Sequence, residues 1–153
     1  MTTRVIRVVP NTKAKDQRLR RSRPKEMPEL MQIGRRAGVV LVVEDEWIIR
    51  SEIVDELTRR GWKVLEASTG EGAVGIVQTQ EPIDALVTDI QLGGYLNGWD
   101  VAEASRAARP EIAVVYVSGN APNPARTVGN SLFLKKPYRI AHVEEACRKL
   151  LGT

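Results

Sequence analysis

Residues 39–43 read VVLVV, an unbroken apolar run with the signature of a strand buried on both faces. Four more short runs follow it: Trp62–Ala67, Ala85–Thr88, Ile112–Val117 and Leu132–Leu134. Helical patterns separate most of them. Ile49, Ile53 and Leu57 recur at helical spacing after Asp45, a residue able to cap the helix, and Gly61 stops it. Glu71–Gln80 is a modest helix weakened by Gly72 and Gly75, and Trp99–Ala108 is one closed by Pro110. Ile140–Leu151 is amphipathic, with Ile140, Val143, Cys147, Leu150 and Leu151 on its core stripe. Strands alternating with helices at this spacing predict an α/β fold, a doubly wound parallel sheet covered on both faces. Ligands of such sheets bind beyond the carboxyl ends of the strands.

One helix is missing from the alternation. GNAPNPARTVGN, residues 119–130, holds two prolines and two glycines and supports about one turn, around Ala125–Val128.

Charge divides the chain. Of its 153 residues, 1–36 carry eleven Lys/Arg against three acids, and 37–153 carry twelve against sixteen. The basic character therefore belongs to the first 36 residues, which read as a disordered extension preceding a domain over 37–153. Met27 and Met31 lie close enough to the domain to be alternative starts. With Cys147 as the only thiol, an intramolecular disulfide is impossible, and its place on the stripe marks it as a small core hydrophobe. No apolar run approaches the ~18 residues of a membrane span, so a cytoplasmic protein is expected.

Chemistry gathers where the strands end. Glu44-Asp45 follows the first strand, Asp89 the third, Ser118 the fourth, and Lys136-Pro137 the fifth. Taken singly, each has an ordinary explanation as a cap, a loop acid, a turn residue or solvated charge. Together, at the ends of strands and in this order, they form a set. Carboxylates converging at one edge repel by roughly 4 kcal/mol per pair about 4 Å apart at an effective dielectric near 20. A cation relieves this, and an all-oxygen site suits Mg²⁺. Zinc is a poor fit, because His142 and Cys147 are the only His and Cys and share one helix, with His142 at its exposed start. Asp89, kept ionised by the cation, can attack a phosphoryl group in line. Ser118 can donate its hydroxyl to one phosphoryl oxygen, and Lys136 can pair with another or with Asp89 itself. Pro137 fixes the backbone just past Lys136, where the bond is free to be cis.

The series VVLVVEDE, ALVTDIQL, VVYVSGN and LFLKKPY resembles the receiver domain of two-component response regulators, the CheY-like family, over residues 38–152. The resemblance implies five parallel strands in the flavodoxin-like and CheY-like order 2-1-3-4-5, here with a truncated fourth helix. It makes Asp89 the phosphoacceptor, Glu44 and Asp45 the acidic pair, and the backbone carbonyl of Gln91 a further ligand of Mg²⁺. Ser118 becomes the phosphate-sensing hydroxyl, Lys136 the family's lysine, and Phe133 the aromatic switch residue. Three departures stand out. Gly93 occupies the position where the family usually has proline, LGGYLNG is one residue longer than the common loop, and Phe133 lacks a phenolic hydroxyl. The family's fourth helix, fifth strand and fifth helix form its output and dimer surface, so losing most of a helix there leaves a monomer or a non-standard dimer.

The expected function is phosphorelay signalling and not enzymatic turnover. Asp89 takes a phosphoryl group from a phosphohistidine of a histidine kinase or histidine phosphotransfer protein, and output is contact with an unnamed downstream protein. The first helix and the loop after Lys136, with Trp47 at the rim, form the expected docking surface for the donor. Two alternatives compete: a binding module of the same fold indifferent to phosphate, and a DNA-binding regulator using the basic extension, with nucleic acid the less favoured partner. A phosphatase of the Asp-x-Asp kind lacks its second acid, since that position is Gln91. No G-x-x-x-x-G-K-[ST] exists to make a nucleotide-binding loop.

Overall fold

The computed structural model describes residues 37–153, so the expected basic extension, its candidate starts and the DNA-binding alternative lie outside the described residues. The elements run β1 (Gly38–Val43), α1 (Trp47–Arg59), β2 (Trp62–Ala67), α2 (Gly70–Val77), β3 (Ala85–Asp89), α3 (Gly98–Ala108), β4 (Ala113–Ser118), β5 (Ser131–Lys135) and α4 (Ile140–Leu151). Five strands form one sheet in the order β2-β1-β3-β4-β5. Every pairing is parallel. The order reverses at β1, whose carboxyl end lies beside that of β3, and this places the residues after both strands in one crevice.

Strand geometry explains why β1 tolerates no polar residue. Successive side chains point to opposite faces, so Leu41 and Val43 enter one core with α2 and α3. Val40 and Val42 enter the other, against Ile53 and Leu57 of α1 and Val143 and Cys147 of α4. Cys147 is fully buried, as expected, while His142 is exposed. The stripe of α4 holds in part. Val143 and Cys147 are buried, Leu150 and Leu151 pack from the edge, and Ile140 instead borders an open groove. A carboxylate takes the remaining place on that face. Glu144 is buried and accepts from the Trp62 indole at 3.3 Å and from Arg60 at 3.4 Å, with Arg148 also on it.

Two helix starts differ from expectation. Asp45 does not cap α1: the capping position is Glu46, and it makes no side-chain bond there. The Asp45 carboxylate turns away to accept from the Gly93 N–H at 3.2 Å. The second helix starts at Gly70, one residue before Glu71, with Thr69 capping it at Gly72 N, and it ends at Val77, short of Gln80, where the Thr79 hydroxyl bonds back to the Ile76 carbonyl.

Between β4 and β5 no helix forms, and a turn at Asn123–Thr127 is all the prolines and glycines permit. This strap is nevertheless fastened. Arg126 bonds Glu103 at 2.9 Å and Asp100 at 2.8 Å on α3, and the Tyr116 hydroxyl accepts from Val128 N at 3.2 Å. Among the described residues no helix is long and apolar enough to cross a membrane.

Candidate functional site

Strand ends assemble the site. Asp89 is the last residue of β3, not the first of the loop, and Ser118 is the last of β4. Glu44 follows β1 directly, and Lys136 follows β5. Carboxylate oxygens of Glu44, Asp45 and Asp89 all lie within 4.8 Å of one another, with Glu44 and Asp89 buried and Asp45 exposed. Lys136 reaches in from the side, its Nζ 2.6 Å from Asp89 Oδ2 and 3.8 Å from Glu44 Oε2. The Lys136–Pro137 bond is cis.

Three carboxylates face one ammonium, and the imbalance shows in the titration. Burial, opposed by the Glu46 N–H and aided by neighbouring Asp45 and Asp89, pushes the Glu44 carboxyl up to about 7. Burial also works against the charge of Lys136, but its hydrogen bond to Asp89 and the nearby carboxylates outweigh this and raise its pKa. A deficit of positive charge among hard oxygen donors is what a divalent cation of the Mg²⁺ type relieves, so the residues present fit that ion.

Hydrogen bonds fix the orientation of the acids. Asp89 Oδ1 accepts from Gln91 N at 3.0 Å, and Glu44 Oε1 accepts from Glu46 N at 3.0 Å. Arg50 of α1 donates to the Glu44 carbonyl at 2.8 Å, which ties the helix to the floor of the site. The Ser118 hydroxyl accepts from Asn120 N at 3.1 Å and leads into the strap. Phe133 is half-buried beside the core that holds Trp99 and Tyr116, and it pairs in register with Tyr116 across β4 and β5. The rings of Trp99 and Tyr116 stand 4.6 Å apart at the centroids, tilted by 44°.

Two contributors are invisible in the motifs. Gly98, at the start of α3, packs so close to β3 that a Cβ there would sit 2.1 Å from the Asp89 carbonyl oxygen. Its only signal is a glycine at a loop-to-helix junction. Glu71 accepts from the backbone N–H groups of Tyr95 and Leu96 in the loop after β3. Nothing in the sequence marks it, since its partners lie 24 and 25 residues away.

Beside the acids lies a groove lined by Ile49, Glu52, Lys136, Pro137, Tyr138 and Ile140. Trp47 and Ile48 stand at the start of α1 with 69% and 57% of their surfaces exposed, so both are surface residues.

Comparison with known proteins agrees with this geometry. The sequence model of the response regulator receiver domain matches residues 40–148. A probable transcriptional regulatory protein of Picosynechococcus is 31% identical over 122 residues, which are 73% of this chain and 48% of that protein. The chain thus spans about half the length of this curated relative. A response regulator receiver protein from Sinorhizobium medicae superposes with a TM-score of 0.73 at 32% identity, covering 76% of this chain and 96% of that one. The receiver domain of the hybrid histidine kinase CckA gives a TM-score of 0.64 at 32% identity, covering 74% of this chain and 99% of that one. The sheet order, the matched span and these likenesses together place the chain in the response regulator receiver domain family, the CheY-like signalling modules of two-component systems.

Proposed function

We propose that this receiver takes a phosphoryl group onto Asp89 from a phosphohistidine of a histidine kinase or histidine phosphotransfer protein, and signals by contact with another protein. The observation that carries the reading is the convergence of the Glu44, Asp45 and Asp89 carboxylates with Lys136 Nζ 2.6 Å from Asp89. An Asp89 carboxylate oxygen attacks phosphorus as the bond from phosphorus to the imidazole nitrogen breaks, and the imidazole leaves with its electron pair. An acyl phosphate remains on Asp89.

Glu44, Asp45, Asp89 and the Gln91 carbonyl would hold Mg²⁺, which would supply neutralising charge for the phosphoryl oxygens. The rest falls to the chain. Lys136, already pointed at Asp89, shifts its ammonium to a phosphoryl oxygen. Ser118 exchanges its bond with Asn120 N for one to another oxygen. This draws the start of the strap toward Asp89, and Phe133 follows by packing alone, without a hydroxyl to anchor it. The exposed Trp47 and Ile48 and the groove at Tyr138 offer the donor an apolar rim next to Asp89. We place the domain over 37–153 with a basic extension over 1–36, and assign the protein to the cytoplasm, where its donor's phosphohistidine is made.

Intact mass spectrometry after incubation with acetyl phosphate and Mg²⁺ tests the proposal. An acid-labile phosphate adduct is expected on the wild type and none on Asp89→Asn. A wild type that gains no adduct overturns it.

A further inference from the structure

The loop of residues 90–97 joins β3 to α3 and borders the acids on their open side. Besides the capping bond of Asn97 N to Asp100 Oδ2 at 2.8 Å, its backbone is fastened to three carboxylates in turn. Gln91 N donates to Asp89 Oδ1 at 3.0 Å, Gly93 N to Asp45 Oδ2 at 3.2 Å, and Tyr95 N and Leu96 N to Glu71 Oε1 at 2.8 and 3.1 Å. Two of these carboxylates belong to the cluster within 4.8 Å that suits a divalent cation. Oxygens that turn toward a cation weaken their hold on the loop. Glu71, on the first turn of α2, stands outside the cluster.

We propose that Glu71 is a positioning residue for the metal-binding acids, holding the loop after β3 at the height where Gly93 orients Asp45 and Gln91 orients Asp89. The inference rests on the metal-binding part of the reading above and assigns a function to the lengthened loop. Gly94 fits the same account. It adopts φ of +106°, and a Cβ there would stand 3.0 and 3.2 Å from the two Glu71 carboxylate oxygens. Only glycine lets the loop settle onto that carboxylate. The backbone N–H groups of Glu71 itself, Tyr95 and Leu96 hold the Glu71 carboxyl below its ordinary range, so the acceptor is charged at neutral pH.

Calorimetric titration with Mg²⁺ alone, on the full chain, tests this against a merely structural role. Glu71→Ala is expected to weaken Mg²⁺ binding about fivefold, less than the ~10-fold or more typical of a direct partner of a metal ligand. Glu71→Gln keeps an acceptor oxygen and should stay within about twofold of wild type. Gly94→Ala leaves the carboxylate intact but lifts the loop from it, and should weaken binding as Glu71→Ala does. Amide exchange at Tyr95 and Leu96 should quicken in Glu71→Ala and Gly94→Ala and not in Glu71→Gln. Wild-type affinity in both Glu71→Ala and Gly94→Ala overturns the inference, as does equal weakening in Glu71→Ala and Glu71→Gln. A wild type that binds no Mg²⁺ overturns the metal reading beneath it. Wild-type binding with unchanged variants overturns only the role of Glu71.

Discussion

Lys136 Nζ lies 2.6 Å from Asp89 Oδ2, so the ammonium sits directly on the carboxylate proposed to take the phosphoryl group. The pair is held by strand ends and not by neighbours in sequence: the two residues are 47 positions apart. In the resting protein the lysine offsets the crowding of the acids. Under the proposed phosphorylation of Asp89 the ammonium would shift to a phosphoryl oxygen, giving the site two electrostatic states.

Lys136→Met separates these functions. Without a divalent cation, three acids then share the crevice with no ammonium among them. The substitution should lower the stability of the metal-free protein by about 1–3 kcal/mol, the usual cost of leaving a buried charged group unpartnered. It should also tighten Mg²⁺ binding, because a competing positive charge is gone. Thermal unfolding with EDTA and with Mg²⁺ checks both; equal melting temperatures for the two proteins in EDTA would contradict the first.

Glu44 makes stability depend on pH in an unusual direction. Its carboxyl titrates at about 7 in the folded chain against 4.5 ordinarily. As pH rises from about 4.5, the unfolded chain loses this proton first and the folded chain holds it. Metal-free stability should therefore fall between about pH 4.5 and 7 and level off above, by about 2 kcal/mol once water on the open side is allowed for. Mg²⁺ should reverse the loss above pH 7. Urea unfolding in EDTA across that range measures the slope, and Glu44→Gln should flatten it.

Gly98 is set by a close approach. A methyl group there would lie 2.1 Å from the Asp89 carbonyl oxygen and 2.7 Å from the Ile90 Cα, both backbone atoms that cannot swing aside. Gly98→Ala should cost upwards of about 3 kcal/mol, beyond the common range of overpacking. It should also displace Asp89 enough to impair phosphoryl uptake. Chemical denaturation and acetyl phosphate labelling read the two effects, and a variant as stable as wild type would refute the packing argument.

Tyr116 secures the strap from beneath. Its hydroxyl, buried at the centre of β4, accepts the Val128 N–H, and burial raises its pKa. Tyr116→Phe should cost about 1 kcal/mol for the lost bond. Exchange at the Val128 amide should accelerate while amides of β1 and β3 remain protected. Unchanged exchange at Val128 would show that Arg126 and its two carboxylates hold the strap without it.

Much of this protein is written locally. VVLVV can only be buried on both faces, since its alternate residues enter the two cores on either side of the sheet. The four site segments were legible because each ends a strand, and parallel strands put all such ends on one edge. The absent helix between β4 and β5 was legible too, because prolines and glycines forbid it by backbone chemistry alone. What the sequence left open depends on contacts between distant residues. Asp45 has the chemistry of a helix cap, yet its carboxylate bonds to Gly93, 48 residues away. Glu144 has the chemistry of a solvated helix residue, yet Trp62, 82 residues away, meets it in the core. Glu71 looks like any acid in a first helical turn until the loop of Gly94 folds over it. Apolar periodicity and strand-end chemistry act within a few residues, so the sequence by itself determined the sheet and the place of the site. Hydrogen bonds of charged side chains to remote partners form only after the layers pack, so the tertiary structure decided how the acids are held.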